Sequence, residues 1–176
     1  ELLLGGTLEK RLAKYQESVD DPRAFWASIA ETFYWHKKWD TVLTYNFDRL
    51  QGPIFQKWFE GGLTNMCYNC LDRHLAEHKD RVAFYWEGNE VGETQQFTYG
   101  QMYDEVTKLA GVLRTKYGVK KGTAVSLYLP MIALGPIAML ALARIGAVTS
   151  VVFGGFSAQS LAARMVDSKS TLLIIA

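Results

Sequence analysis

The sequence predicts an α/β fold: a parallel-sheet layer preceded by a helical or irregular, aromatic-rich extension. Three observations carry this. From residue 123 onward, short apolar runs alternate with helical stretches in the order strand, helix, strand, helix, strand. That order closes as a parallel sheet with helices on its faces. Residues 1–60 lack the alternation and hold Trp26, Trp35, Trp39 and Trp58. Gly61-Gly62 marks the change, which places an extension over 1–60 and the first part of a larger α/β domain over 61–176.

Composition narrows the class. The 176 residues are 49% hydrophobic and 21% charged, which suits a packed globular chain and excludes disorder as the main state. A net charge of +1 creates no broad field for nucleic acid or anionic lipid. Two cysteines, Cys67 and Cys70, are too few for a secreted disulfide scaffold. The expected compartment is the cytoplasm or an organelle. Residues 123–143 carry no charge, but Pro130, Gly135 and Pro136 interrupt them. Each proline removes a helix hydrogen bond at about 3 kcal/mol, so a buried strand, a turn and a buried helix are expected in place of a membrane span. The chain opens on Glu1 and ends on the apolar run Leu172-Leu173-Ile174-Ile175-Ala176, and is expected to be a piece of a longer protein.

The elements follow in order. Leu8 to Tyr15 reads as a short helix, and Asp21-Pro22 starts another, since proline is tolerated in a first helical turn. The aromatic rings of this stretch are expected to dock it on a larger body. Residues 65–78 read as one helix. A strand follows over 81–86 and a turn at Glu87-Gly88-Asn89. Thr98 and Gln101 have the form of a capping box, and Val106, Leu109, Ala110 and Leu113 make the apolar stripe of the helix they open. Gly118 sits at its left-handed stop. Strands are expected at 125–129, 147–153 and 171–175, with helices at 137–145 and 157–167 and Ser157 as the cap of the second.

Two clusters bear on chemistry. Cys67, Cys70, His74 and His78 resemble a zinc signature. On a straight helix, however, Cys67 and His78 lie ~16 Å apart at 1.5 Å rise per residue, too far for one tetrahedral ion. Packing and polar surface are expected there, with no metal. Redox chemistry is disfavoured too, because no strand precedes the pair. The second cluster is Phe153-Gly154-Gly155, where a buried strand runs into two glycines and a capped helix. A helix start suits an anion, Gly-Gly permits close approach, and ligands bind beyond the carboxyl ends of parallel strands. A tight strand-to-helix turn explains the same residues, and spacing alone leaves both readings open. No dinucleotide or P-loop fingerprint and no catalytic triad is present. Arg144 reads as a helix-end cation reaching solvent.

Several blocks together resemble the amino-terminal part of the AMP-forming acetyl-CoA synthetase family, acetate–CoA ligases of the adenylate-forming superfamily. They are Phe25-Trp26, Asn69-Cys70-Leu71-Asp72-Arg73-His74-Leu75, Trp86-Glu87-Gly88, Phe97-Thr98-Tyr99, Gly118-Val119-Lys120-Lys121-Gly122, Tyr128-Leu129-Pro130-Met131, Ala143-Arg144-Ile145-Gly146-Ala147 and Ser150 through Ser157. Each is weak alone, but the ordered set over residues 15–176 is specific. The resemblance implies acetate, ATP and CoA as small-molecule substrates, Mg²⁺ with the ATP, and the rest of the same polypeptide as partner. It implies neither a nucleic-acid nor a membrane partner. It assigns Phe153, Gly154 and Gly155 to the CoA nucleotide, by ring contact and backbone approach. It assigns no catalytic or metal residue here. The family's phosphate loop, acetate-pocket Trp, ribose Asp, adenylation Lys and Arg pair for the CoA phosphates are expected beyond Ala176, so the isolated chain is expected to be inactive. Arg164 reads as structural. Leu142 and Thr149 depart from the family's usual Cys and His, both at core-type positions. The alternatives are a propionate–CoA ligase of the same family, against which Trp86-Glu87-Gly88 and Ser157 weigh, and a non-catalytic α/β nucleotide-binding module.

Overall fold

The computed structural model describes residues 6–176. The chain divides between Thr64 and Asn65 into two compact units.

The first unit opens with α1 (Leu8–Asp20) and α2 (Pro22–Ala30). Asp21 starts α2 as its sequence suggests: its carboxylate accepts from the Ala24 N–H at 2.9 Å, and Pro22 takes the first helical position, where no N–H is needed. The sequence reading of this region as helical or irregular needs one correction. Strands β1 (Thr41–Asn46) and β2 (Phe55–Glu60) pair antiparallel, with Leu43 opposite Trp58. The rings pack against one another inside this unit. Trp35 lies 4.9 Å from Trp39, Trp39 lies 5.1 Å from Phe59, and Trp26 lies 6.3 Å from Trp58, all edge-on. The Trp35 indole donates to the Ala30 carbonyl at 2.9 Å, which also closes the end of α2.

The second unit begins at a broken helix. Residues 65–78 are not one helix but α3 (Met66–Cys70), a 3-10 turn (Asp72–His74) and α4 (Leu75–His78). Leu71, at φ −122° and ψ −67°, interrupts the run and turns its side chain into the core. The straight-helix separation of Cys67 from His78 therefore does not hold. Among the described residues, no three His, Cys, Asp or Glu side chains gather as a metal-ligand set.

A hairpin follows: β3 (Val82–Glu87) pairs antiparallel with β4 (Thr94–Thr98), a strand the sequence reading did not register. Phe84 and Phe97 stack across it at 4.9 Å. Thr98 then caps α5 (Tyr99–Tyr117) with both bonds of the capping box, and Gly118 ends it at φ 64°.

The parallel sheet is β5 (Ala124–Leu129), β6 (Val148–Phe153) and β7 (Leu172–Ile175), in the order β6-β5-β7, with both neighbours parallel to β5. β5 lies in the middle because Val125, Ser126 and Leu127 are buried on both faces. The connections are α6 (Leu134–Ile145) and α7 (Ala158–Ser168). α6 starts three residues before the expected Ile137, since Pro136 falls in its first turn, where it breaks no hydrogen bond. Ile137, Ala138, Ala141 and Leu142 of α6 join Val106, Ala110 and Leu113 of α5 over Val125 and Leu127 in one core. Among the described residues no helix is long and apolar enough to cross a membrane.

Candidate functional site

Parallel strands bring their carboxyl ends to one edge. Leu129 and Phe153 are register partners there, and Ile175 pairs with Tyr128. A cleft of about 340 Å³ opens at this edge, between residues 128–131 and residues 153–155. All three sequence-predicted site residues, Phe153, Gly154 and Gly155, line it. Phe153 is 67% exposed, and its ring meets Phe156 edge-on at 5.8 Å.

The turn after β6 is closed by a hydrogen bond from the Phe156 N–H to the Phe153 carbonyl at 3.0 Å. Ser157 then caps α7 through its hydroxyl, which accepts from the Ser160 N–H at 3.2 Å. Neither Gly154 nor Gly155 takes a left-handed φ, so backbone strain is not what selects glycine. Crowding is. A Cβ on Gly154 would stand 3.1 Å from the Leu129 carbonyl oxygen, and one on Gly155 would stand 2.6 Å from the Phe153 ring. The tight-turn reading thus accounts for both glycines, and the same turn forms one wall of the cleft.

Two further residues hold this cleft, and sequence reasoning gave neither a role. The Tyr128 hydroxyl donates to the Phe156 carbonyl at 2.7 Å, and the Trp86 indole donates to the Met131 carbonyl at 2.6 Å. Both lie in motifs already singled out, but a hydrogen bond across 28 or 45 residues leaves no local signal. The Arg164 guanidinium lies over the Phe156 ring at 4.4 Å.

A second polar centre corrects the reading of Arg144. Its side chain turns inward and forms a bidentate pair with Asp72, at 2.8 and 2.7 Å. It also donates to the Cys67 sulfur at 3.2 Å and covers the Tyr103 ring at 5.0 Å. The Asp72 bond raises the guanidinium further above its already high range. Burial pushes the Cys67 thiol up, against the opposing pull of Arg144. Asn65 completes the joint: its side chain accepts from the Tyr68 N–H and donates to the Ala143 carbonyl at 2.9 Å, linking the start of α3 to the end of α6. The block from Asn69 to His74 is therefore an anchor for α6.

Residues 71–176 match the family described as AMP-binding enzyme. The chain belongs to that family. Its preceding residues 12–70 match acetyl-coenzyme A synthetase N-terminus. This AMP-binding enzyme chain is 51% identical over 168 residues to acetyl-coenzyme A synthetase, chloroplastic/glyoxysomal, of Arabidopsis thaliana, covering 94% of the chain and 22% of that protein. It is 50% identical over 160 residues to acetyl-coenzyme A synthetase of Rhizobium rhizogenes (91% and 24%) and 50% identical over 166 residues to that of Drosophila melanogaster (92% and 25%). The chain spans about a quarter of the length of these curated relatives.

Proposed function

We propose that this chain is the amino-terminal part of an AMP-forming acetate–CoA ligase. The observation that carries the reading is the run of two adjoining family matches, over 12–70 and 71–176, with about half the residues identical to proteins named acetyl-coenzyme A synthetase. In the reaction, the acetate carboxylate attacks the α-phosphate of ATP and pyrophosphate leaves. The CoA thiolate then attacks the acetyl carbonyl of acetyl-AMP, and AMP leaves. Mg²⁺ supplies charge neutralisation on the ATP phosphates. No residue of this chain is assigned to ATP, Mg²⁺ or acetate.

The chain's own contribution is the CoA edge. Phe153 offers an exposed ring, and Gly154 and Gly155 offer backbone without side chains, at the strand-end position where α/β folds bind ligands. The cytoplasm is the expected compartment, and the name of the Arabidopsis relative, chloroplastic/glyoxysomal, supports an organelle as the alternative.

The test uses the full-length protein. It is expected to catalyse acetate-dependent ATP–pyrophosphate exchange and to form a thioester only when CoA is added. The 176 residues alone are expected to do neither. Stronger exchange with propionate would correct the acyl group. Absence of exchange with either acid would overturn the reading.

A further inference from the structure

We propose that Tyr128 is a positioning residue for CoA. The inference rests on the proposed function. Phe156 is held by both of its backbone groups: its N–H closes the turn onto Phe153 at 3.0 Å, and its carbonyl accepts the Tyr128 hydroxyl at 2.7 Å. The first bond lies within the turn. The second ties the turn to the neighbouring strand. Tyr128 sits on β5 opposite Val152, one position before the Leu129–Phe153 pair that ends both strands. Its hydroxyl therefore spans from the middle strand to the far side of the turn.

The rings make Phe156 the support of Phe153. Phe153 stands edge-on to Phe156, and Arg164 clamps the other ring contact of Phe156 at 4.4 Å. A shift at Phe156 is passed to the Phe153 ring, because the two are joined by a closed four-residue turn. Gly154 and Gly155 carry no side chains that could hold the turn to β5, so the Tyr128 bond supplies a tie there, and its loss loosens the wall. A wall left free to move must be ordered again by each incoming ligand, which weakens binding without removing any ligand contact.

Tyr128→Phe in the full-length ligase keeps the ring and removes only the donor. CoA is titrated by calorimetry, the KM for CoA and acetate-dependent pyrophosphate exchange are measured, and the denaturation midpoint is recorded on the same preparations. Loss of one hydrogen bond predicts a roughly five-fold rise in both the CoA Kd and the CoA KM, with exchange unchanged. An unchanged CoA Kd overturns the inference. So does a parallel fall of exchange and thioester formation with a lowered midpoint, which is the mark of a fold-only role. Wild-type enzyme that binds no CoA overturns the proposed function itself, and this inference with it.

Discussion

Arg144 meets Asp72 across 72 residues of chain, Nη1 to Oδ2 at 2.8 Å and Nη2 to Oδ1 at 2.7 Å. The side chains are 23% and 17% exposed, so water screens the pair only in part. Removing one partner leaves the other charge desolvated beside the Cys67 sulfur.

Asp72→Ala should therefore destabilise the chain by about 3 kcal/mol in urea denaturation. Asp72→Leu with Arg144→Met should recover much of that, because an apolar pair of similar volume removes the desolvation penalty along with the attraction. If Asp72→Ala changes stability by less than about 0.5 kcal/mol, a figure typical of an exposed pair, the joint is not what anchors α6.

Legibility from the sequence divides along the same line. The α5-β5-α6-β6-α7-β7 run was readable because its elements carry their own signals: apolar runs, caps at Thr98 and Ser157, and a stop at Gly118. β4 was not, since Thr94-Gln95-Gln96 is polar and only Phe97 packs inward against Phe84. β1 and β2 were not legible either, since neither Thr41–Asn46 nor Phe55–Glu60 alternates strictly between apolar and polar residues. That Phe153, Gly154 and Gly155 lie at the strand-end cleft was legible because glycine punctuates a strand end. The Tyr128 bond was not legible, because a tyrosine looks the same whether its hydroxyl meets water or the Phe156 carbonyl. Arg144 was misread for a related reason: its position suits a helix-end cation, and its partner lies far back in the chain.

Cys67 gives stability a pH dependence. Burial raises its thiol pKa in the folded chain above the unfolded value of about 8.5. The contribution is complete below the unfolded pKa and is lost as pH rises above it, because the unfolded chain releases the proton first. Unfolding free energy should fall by up to about 1.4 kcal/mol per pH unit from this group. Urea curves at pH 7.5 and 9.5 should show a larger loss for wild type than for Cys67→Ala. A thiol reagent should label exposed Cys70 quickly and buried Cys67 only on unfolding. Equal labelling rates would refute the assignment.

Trp86→Phe removes the indole donor that reaches the Met131 carbonyl while keeping an aromatic ring. About 1 kcal/mol of stability should be lost. Amide exchange should quicken in residues 131–135, which lead from the cleft wall opposite the glycine turn into α6. Unchanged protection there would mean that Pro130 and the start of α6 hold that wall unaided.

The two glycines should respond differently to the same added methyl. At Gly154 the new Cβ meets the Leu129 carbonyl oxygen at 3.1 Å and its carbon at 3.5 Å, so backbone presses on backbone. The ends of β5 and β6 must part by a few tenths of an ångström, and Gly154→Ala should cost about 1–2 kcal/mol with a lower melting temperature. At Gly155 the nearest neighbours of the new Cβ are atoms of the Phe153 ring, and Phe153 is exposed enough for its ring to swing away. Restricting the unfolded chain offsets part of that cost by about 0.5 kcal/mol, so the stability of Gly155→Ala should stay near wild type. Its effect should fall on the ring's position instead: in the full-length ligase, a raised KM for CoA with near-normal pyrophosphate exchange. Calorimetric melting and the two half-reactions, measured side by side, separate these outcomes. A Gly155→Ala enzyme with wild-type CoA use would show that the Phe153 ring contributes nothing to the ligand.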